Sequence, residues 1–442
     1  MHSHSVTLDQ GRCIGCTDCI KRCPTEAIRV RGSKATIIEE RCIDCGNCIR
    51  ICRNGAKKAV TDDISLMNQF KYKVALPAPS LYGQFPKAQQ ITSILDALYE
   101  IGFTEVFEVA AAGEMISKYT YEYLQTAQTF PVISSACPVI IRLIQRRFPS
   151  LIHHILPIIS PMELAARFIK QQYAEKGIGQ GEVGVFFISP CPAKATDIHR
   201  PKGIESSAVD GVFSIQSLYK QILNILGHPT YKGARRQSGS KGIAWAMRTG
   251  GVDEVRIKNH ISVDGMDNVI GILEKVEDGT LNQVAYIEAL ACIGGCLGGV
   301  LNIENAFMSR NTLKKWIDEE SNNKMETALN RKQLQEHLGK IPYGFEKDLS
   351  PRLVFTLDND VNKALEKMTD IENLYKRLPQ IDCGSCGAPT CRCFAEDVVM
   401  QKSNIEECIF ILREKIKELS DQMYRLTQTV IPTDSEKMKG GS

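Results

Sequence analysis

Cysteine spacing constrains this chain more than any other property of it. Cys13, Cys16 and Cys19 stand three positions apart, and Cys23, followed by Pro24, comes four positions later; Cys42, Cys45, Cys48 and Cys52 repeat the spacing. Three thiolates at that interval can wrap three corners of one iron–sulfur cube while the fourth reaches a second cube. A structural zinc site is the alternative for clustered thiolates, but it needs only four sulfurs in two pairs. The chain has 17 cysteines: these eight, four dispersed between positions 137 and 296, and five from Cys383 to Cys408.

Both runs match the bacterial two-cluster ferredoxin pattern, in which the fourth cysteine ligates the other cluster. By that rule Cys13, Cys16, Cys19 and Cys52 hold one 4Fe–4S cluster, and Cys42, Cys45, Cys48 and Cys23 hold the other. Arg53 stands where a second trailing proline would be. The expected domain covers residues 1–62, and it carries electrons without substrate chemistry of its own.

At 442 residues the chain has room for two to four domains. Acidic and basic residues are well mixed and the net charge is +3, which gives no reason to expect a nucleic-acid partner. No apolar run approaches the ~20 residues that cross a bilayer, and Met1 to Ser5 lack the features of a signal peptide. The expectation is a soluble cytoplasmic protein without a membrane partner. Its thiols, kept reduced, serve as metal ligands and not as a disulfide framework.

From about Lys71 short apolar runs alternate with amphipathic stretches. Residues 73–77 and 183–188 read as buried strands, and 91–101 and 162–173 as helices, an α/β pattern. Within it lie Ser134-Ser135-Ala136-Cys137-Pro138, Ser189-Pro190-Cys191-Pro192-Ala193-Lys194 and Ala291-Cys292-Ile293-Gly294-Gly295-Cys296. These segments resemble the three cluster-binding signatures of iron–iron (FeFe) hydrogenases, and the resemblance spans residues 71–346. It implies a two-lobed α/β catalytic domain (residues 63–346) in which Cys137, Cys191, Cys292 and Cys296 bind a cubane. Cys296 would bridge to a two-iron subcluster carrying CO, CN and azadithiolate, the two parts forming an H-cluster. Lys194 matches the lysine that holds one cyanide. Ala78-Pro79-Ser80 matches the segment whose backbone and hydroxyl contact the other, and a cation and a hydroxyl suit small anionic ligands. The bland alternative is a plain cubane with a lysine paired to a carboxylate.

Several positions depart from the fast enzymes, which carry a proton-passing cysteine where this chain has Ala136. The relay serine aligns with Leu156 and the Glu-Glu pair with Tyr119-Thr120, although Glu114 and Glu122 remain nearby. Ser189, Leu290 and Met162 replace residues usual around the iron pocket. Acid–base transfer needs donors within hydrogen-bond reach, so the resemblance implies slow hydrogen chemistry, with Ala136 and Ser189 among the residues that set it.

Cys383-x2-Cys386-x4-Cys391-x16-Cys408 resembles the single 4Fe–4S module of electron-transfer subunits, corrinoid iron–sulfur proteins and sensory hydrogenases. Gly384, Gly387 and Pro389 make its tight loop, and Cys393 is left over as a thiol packed like a small hydrophobe, or else an alternative ligand. Residues 346–377 read as mostly helical, within a domain covering 347–412. Residues 413–442 are expected to form a helical tail. Ile405, Ile409, Leu412, Ile416, Leu419, Met423, Leu426 and Val430 follow a heptad pattern. Such a helix joins two copies in a homodimer, docks a signalling partner, or lies on its own domain. Residues 437–442 read as a flexible end. His153-His154, Arg235-Arg236 and Gly250-Gly251 suggest surface or loop positions without assignable chemistry.

The fold class expected is therefore α+β and α/β multidomain: a two-cluster ferredoxin fold, an FeFe-hydrogenase-like domain, and a small 4Fe–4S domain with a helical tail. The chain is similar to the sensory type of FeFe hydrogenase without a PAS domain (group D-like). That resemblance implies slow interconversion of H2 with protons and electrons, three accessory 4Fe–4S clusters besides the central cubane, and a redox or signalling protein as partner. The alternatives are a non-enzymatic iron–sulfur assembly protein and an electron-transfer protein, each with a cubane but no two-iron site.

Overall fold

The computed structural model describes residues 4–228, 231–251, 257, 259–322, 328–352 and 357–429. The expectations for Met1–Ser3 and for residues 430–442 of the helical tail lie outside the described residues. The chain divides into two compact units, Met1–Arg12 with Glu39–Val354, and Cys13–Ile38 with Phe355–Ser442.

The larger unit contains two parallel sheets. In one, strand Tyr72–Pro77 lies between Glu105–Val106 and Val183–Ser189, and Gly211–Ser214 adds to the far edge. The two central strands occupy residues 72–77 and 183–189, one residue beyond the expected limits. Side chains alternate between faces along a strand. Val74, Leu76, Val183, Val185 and Phe187 therefore enter one core, and Ala75, Phe186 and Ile188 the other. Both faces are covered, which is why these strands read as near-continuous apolar runs. Helices Ile91–Ile101 and Pro161–Glu175 cover opposite faces, the first ended by Gly102 in the left-handed region.

In the second sheet Tyr286–Leu290 lies between His260–Asp264 and Val132–Ile133, all parallel. Its core takes Ile133, Ile287 and Ala289 together with helices Pro138–Arg147 and Met266–Glu277. The unit also holds the antiparallel pair Val6–Leu8 with Lys57–Ala59.

The smaller unit has an antiparallel hairpin, Ile28–Arg31 with Lys34–Ile37, and helices Val361–Arg377, Cys391–Val399 and Ile409–Thr429. The expected helix over 346–377 begins only at Val361. Asp360 caps it, accepting from the N–H groups of Asn362 and Lys363 at 2.8 and 3.3 Å. Pro351, which has no N–H to donate, interrupts the segment before it.

Candidate metal centre

The four dispersed cysteines all follow parallel strands, at the carboxyl ends where open α/β sheets place their ligands. Cys137 caps helix Pro138–Arg147 and Cys191 caps Pro192–His199, each with proline as the first helical residue. Proline sets the entry angle and brings no N–H that would need a partner. A helix N-terminus also favours a thiolate. Cys292 follows strand Tyr286–Leu290, and Cys296 lies in the short turn Gly295–Gly298. The chain then passes so close to Pro190 that a Cβ on Gly299 would fall 2.3 Å from its carbonyl oxygen. Only glycine lets those two ligand loops meet.

All four cysteines line one cavity of about 130 Å³, together with Ala78, Pro79, Ala136 and Lys194. Burial pushes the Cys292 and Cys296 thiols up to about 12, and the Cys191 thiol higher still; neighbouring sulfurs add to the rise. The exposed surface of Cys296 is cavity wall, so desolvation still governs its sulfur. Sulfurs so desolvated need a metal to become thiolates together.

Two further groups fit an anionic ligand set. The Lys194 ammonium is buried with no hydrogen-bond partner among the described residues, Asp197 being 3.6 Å away. The hydroxyl of fully buried Ser80 likewise has none. Buried polar groups left without hydrogen bonds are costly, so both match a bound partner better than an empty apolar core. Ser80 follows the wall residues Ala78 and Pro79 without lining the cavity itself. Ser189 is turned away: its hydroxyl accepts from the Cys191 N–H and donates to the Cys191 carbonyl, both at 3.0 Å. It braces the ligand turn.

The positions aligned with the usual proton relay are occupied otherwise. Leu156 is core, Tyr119 stacks on Tyr343, and the Thr120 hydroxyl donates to the Ile116 carbonyl. Glu122 is exposed beside Lys118. Glu114 is half-buried, desolvation pushes its pKa up, and it accepts from the N–H groups of Gly239 and Gly242. Met162 and Leu290 both line the cavity.

A carboxylate that the sequence reading passed over is Glu288, the one acidic side chain among the described residues of the cavity wall. It accepts from the N–H groups of Thr249 at 2.8 Å and Gly251 at 3.1 Å, and from the Ser262 hydroxyl. A glutamate inside the otherwise apolar strand Tyr286–Leu290, four residues before Cys292, was the signal for it. Gly251 thus positions an acid and is more than loop material. Arg236, also read as a loop residue, is buried in ion pairs with Glu108 and Glu320.

The two ferredoxin-like runs share a backbone form. Gly15 and Asp44, and then Thr17 and Gly46, take positive φ at matching places (69° and 57°, 64° and 76°). Each run then enters a short helix, Asp18–Lys21 or Asn47–Ile51. Backbone N–H groups point at sulfur: Ala35 to Cys13, Ala27 to Cys23 and Ala56 to Cys52, at 3.2–3.3 Å. Such donors suit cluster thiolates. In the larger unit, Arg50 donates to the Gly298 carbonyl at 2.5 Å, packing the helix of Cys48 against the Cys292–Cys296 turn.

In the smaller unit Cys383, Cys386, Cys391 and Cys408 line one small cavity. Cys393 is not on that wall; it is buried and its thiol donates to Glu26 at 2.7 Å. No described helix is long and apolar enough to cross a membrane.

Comparison with known proteins agrees with this geometry. The family described as "Iron only hydrogenase large subunit, C-terminal domain" matches residues 71–252, a "4Fe-4S dicluster domain" matches 5–53, and an Fe-S cluster family matches 378–410. Iron hydrogenase 1 of Clostridium pasteurianum is 23% identical over 256 residues, 47% of this chain and 44% of that one. The NADP-reducing hydrogenase subunit HndD of Solidesulfovibrio fructosivorans is 24% identical over 340 residues, 65% of this chain and 55% of that one. The corrinoid/iron-sulfur protein large subunit of Moorella thermoacetica is 39% identical over 44 residues, 10% of each chain. The chain spans only about half the length of the two hydrogenase relatives it matches. A variant of [FeFe]-hydrogenase HydA1 from Chlamydomonas reinhardtii superposes with a TM-score of 0.51 at 13% identity, covering 64% of this chain and 95% of that one. The fold is thus FeFe-hydrogenase-like, joined to iron–sulfur domains.

Proposed function

We propose that the protein is a slow FeFe hydrogenase that interconverts H2 with two protons and two electrons and serves as a hydrogen or redox sensor. The reading is carried by Lys194 and Ser80, two buried polar groups without hydrogen-bond partners among the described residues, beside a cavity walled by four cysteines. Cys296 would hold a two-iron unit, which when bound would supply the site of hydrogen cleavage and formation. Lys194 and Ser80 fix its anionic ligands, and the apolar wall keeps water out. Ala136 offers no proton, so Glu288 is the acid within the cavity that exchanges protons with the site, and turnover is low. Electrons pass through the accessory cubanes to a redox or signalling partner in the cytoplasm. Infrared spectroscopy of protein matured with the two-iron unit tests the proposal: carbonyl and cyanide bands are expected. Their absence from a correctly matured sample would replace it with an assembly or electron-transfer role.

Helix Ile409–Thr429 gives the signal a route outward. Ile409, Ile416 and Met423 fall at a positions and Leu412, Leu419 and Leu426 at d. Leu412, Ile416, Leu419, Met423 and Leu426 are all 41% exposed or more. Isoleucine at a with leucine at d favours a two-stranded parallel coiled coil, so a second copy is the occupant this seam fits. Truncation after Leu412 is expected to convert a dimer to a monomer by light scattering; an unchanged mass would discard the homodimer.

A further inference from the structure

The C-terminal cysteine module is not tethered loosely within the smaller unit; its ligand loop is built onto the first ferredoxin run. A side chain at Gly384, next to Cys383, would begin 3.3 Å from both Ile20 Cδ1 and Lys21 Cε, and Ile20 adjoins Cys19. Each ligand cysteine is thus one residue, ~3.8 Å of chain, from the contact. The Val30 N–H donates to the Gly387 carbonyl at 2.8 Å. A Cβ on Gly387 would fall 1.6 Å from the Val30 carbonyl oxygen, so the two backbones touch only because that residue is glycine.

Charged groups then lock the pair. Arg29 and Arg31 both reach Asp397 Oδ2 at 2.6 Å, with Arg29 and Asp397 buried. Arg31 also contacts Glu407 and Ser403 at 2.7 Å. Glu26 accepts from the Thr390 hydroxyl at 3.2 Å and from the leftover Cys393 thiol. Cys393 therefore fastens the joint and does not ligate. A module meant to swing free would not invest two arginines in one buried carboxylate.

We propose that this joint is an electron contact: the C-terminal cubane exchanges single electrons directly with the ferredoxin cubane to which Cys13, Cys16 and Cys19 contribute. One cubane is oxidised by one electron as the other is reduced, and the electrons enter the ferredoxin module from a low-potential donor. The C-terminal cubane is then the last station of the chain, and its ligand Cys408 stands directly before helix Ile409–Thr429. The inference rests on cubane ligation by these cysteines and not on the hydrogen chemistry of the central site.

Low-temperature EPR of the full chain, reconstituted anaerobically and photoreduced with a deazaflavin, tests it without hydrogen. The reduced C-terminal cubane is expected to show spin coupling to its neighbour. That coupling is lost in Cys16→Ala, and in Asp397→Lys, which disrupts the joint while retaining the iron content. The reciprocal variant Cys386→Ala removes the C-terminal cubane and should sharpen the remaining ferredoxin signals. A C-terminal signal identical in wild type, Cys16→Ala and Asp397→Lys overturns the proposal. So does a difference between wild type and Cys386→Ala that is one isolated, uncoupled signal.

Discussion

Replacing Lys194 with methionine is expected to cost at least ~100-fold in hydrogen turnover and to remove the carbonyl and cyanide bands. The four-cysteine cubane should remain, seen as unchanged iron in the unmatured protein. Methionine keeps much of the length and apolar stem of lysine and deletes the ammonium. In wild type that ammonium has no hydrogen-bond partner among the described residues, and its nearest carboxylate, Asp197, is 3.6 Å away. Truncating one partner of a buried charge-assisted pair typically costs about 2–5 kcal/mol, or ~30- to several-thousand-fold in retention of the bound group. If Lys194 were merely a structural ion pair with Asp197, the variant would fold less stably but keep its bands and its turnover. That outcome would remove the main support for the hydrogenase reading.

The second large effect concerns protons. Glu288→Gln preserves the shape of the side chain and its carbonyl acceptor but removes the ionisable proton. General acid–base groups contribute ~10²–10⁴ in rate, so turnover should fall at least ~100-fold while the infrared bands persist. Ala136→Cys should act in the opposite direction, because it places a second proton donor on the same cavity wall. Combined in one chain, Ala136→Cys should recover part of the loss caused by Glu288→Gln only where the two donors serve separate routes to the surface. Unchanged turnover in Glu288→Gln would show that the acid holds Thr249, Gly251 and Ser262 in place and carries no protons.

Legibility differed from residue to residue for physical reasons. The cluster cysteines were visible because ligand spacing is local: three thiolates on one turn of chain must serve one metal group wherever that turn ends up. The central strands were visible because both their faces are buried, which leaves a continuous apolar run. Glu288 was not, since a single acid in a strand reads as an edge or a mispaired position until its neighbours are known. Ser189 shows the opposite case. Its place beside Pro190-Cys191 suggested a hydroxyl in the iron pocket, yet the nearest donor and acceptor are the backbone of Cys191, and the side chain satisfies them instead. The helix expected from residue 346 starts at Val361 because a capping aspartate and an upstream proline outweigh a helical composition.

By itself the sequence determined which residues can hold metal, that iron–sulfur domains stand at both ends of the chain, and that alanine precedes Cys137. Tertiary structure alone decided how the dispersed groups combine. It brought four cysteines from three separate stretches to one cavity, left Lys194 and Ser80 without hydrogen-bond partners among the described residues beside it, and set Glu288 on its wall. It also joined Gly384 and Gly387 to Ile20 and Val30, more than 350 residues away in the chain. Spacing along a chain encodes contacts within a turn or two, whereas burial and the loss of partners arise only when distant segments pack.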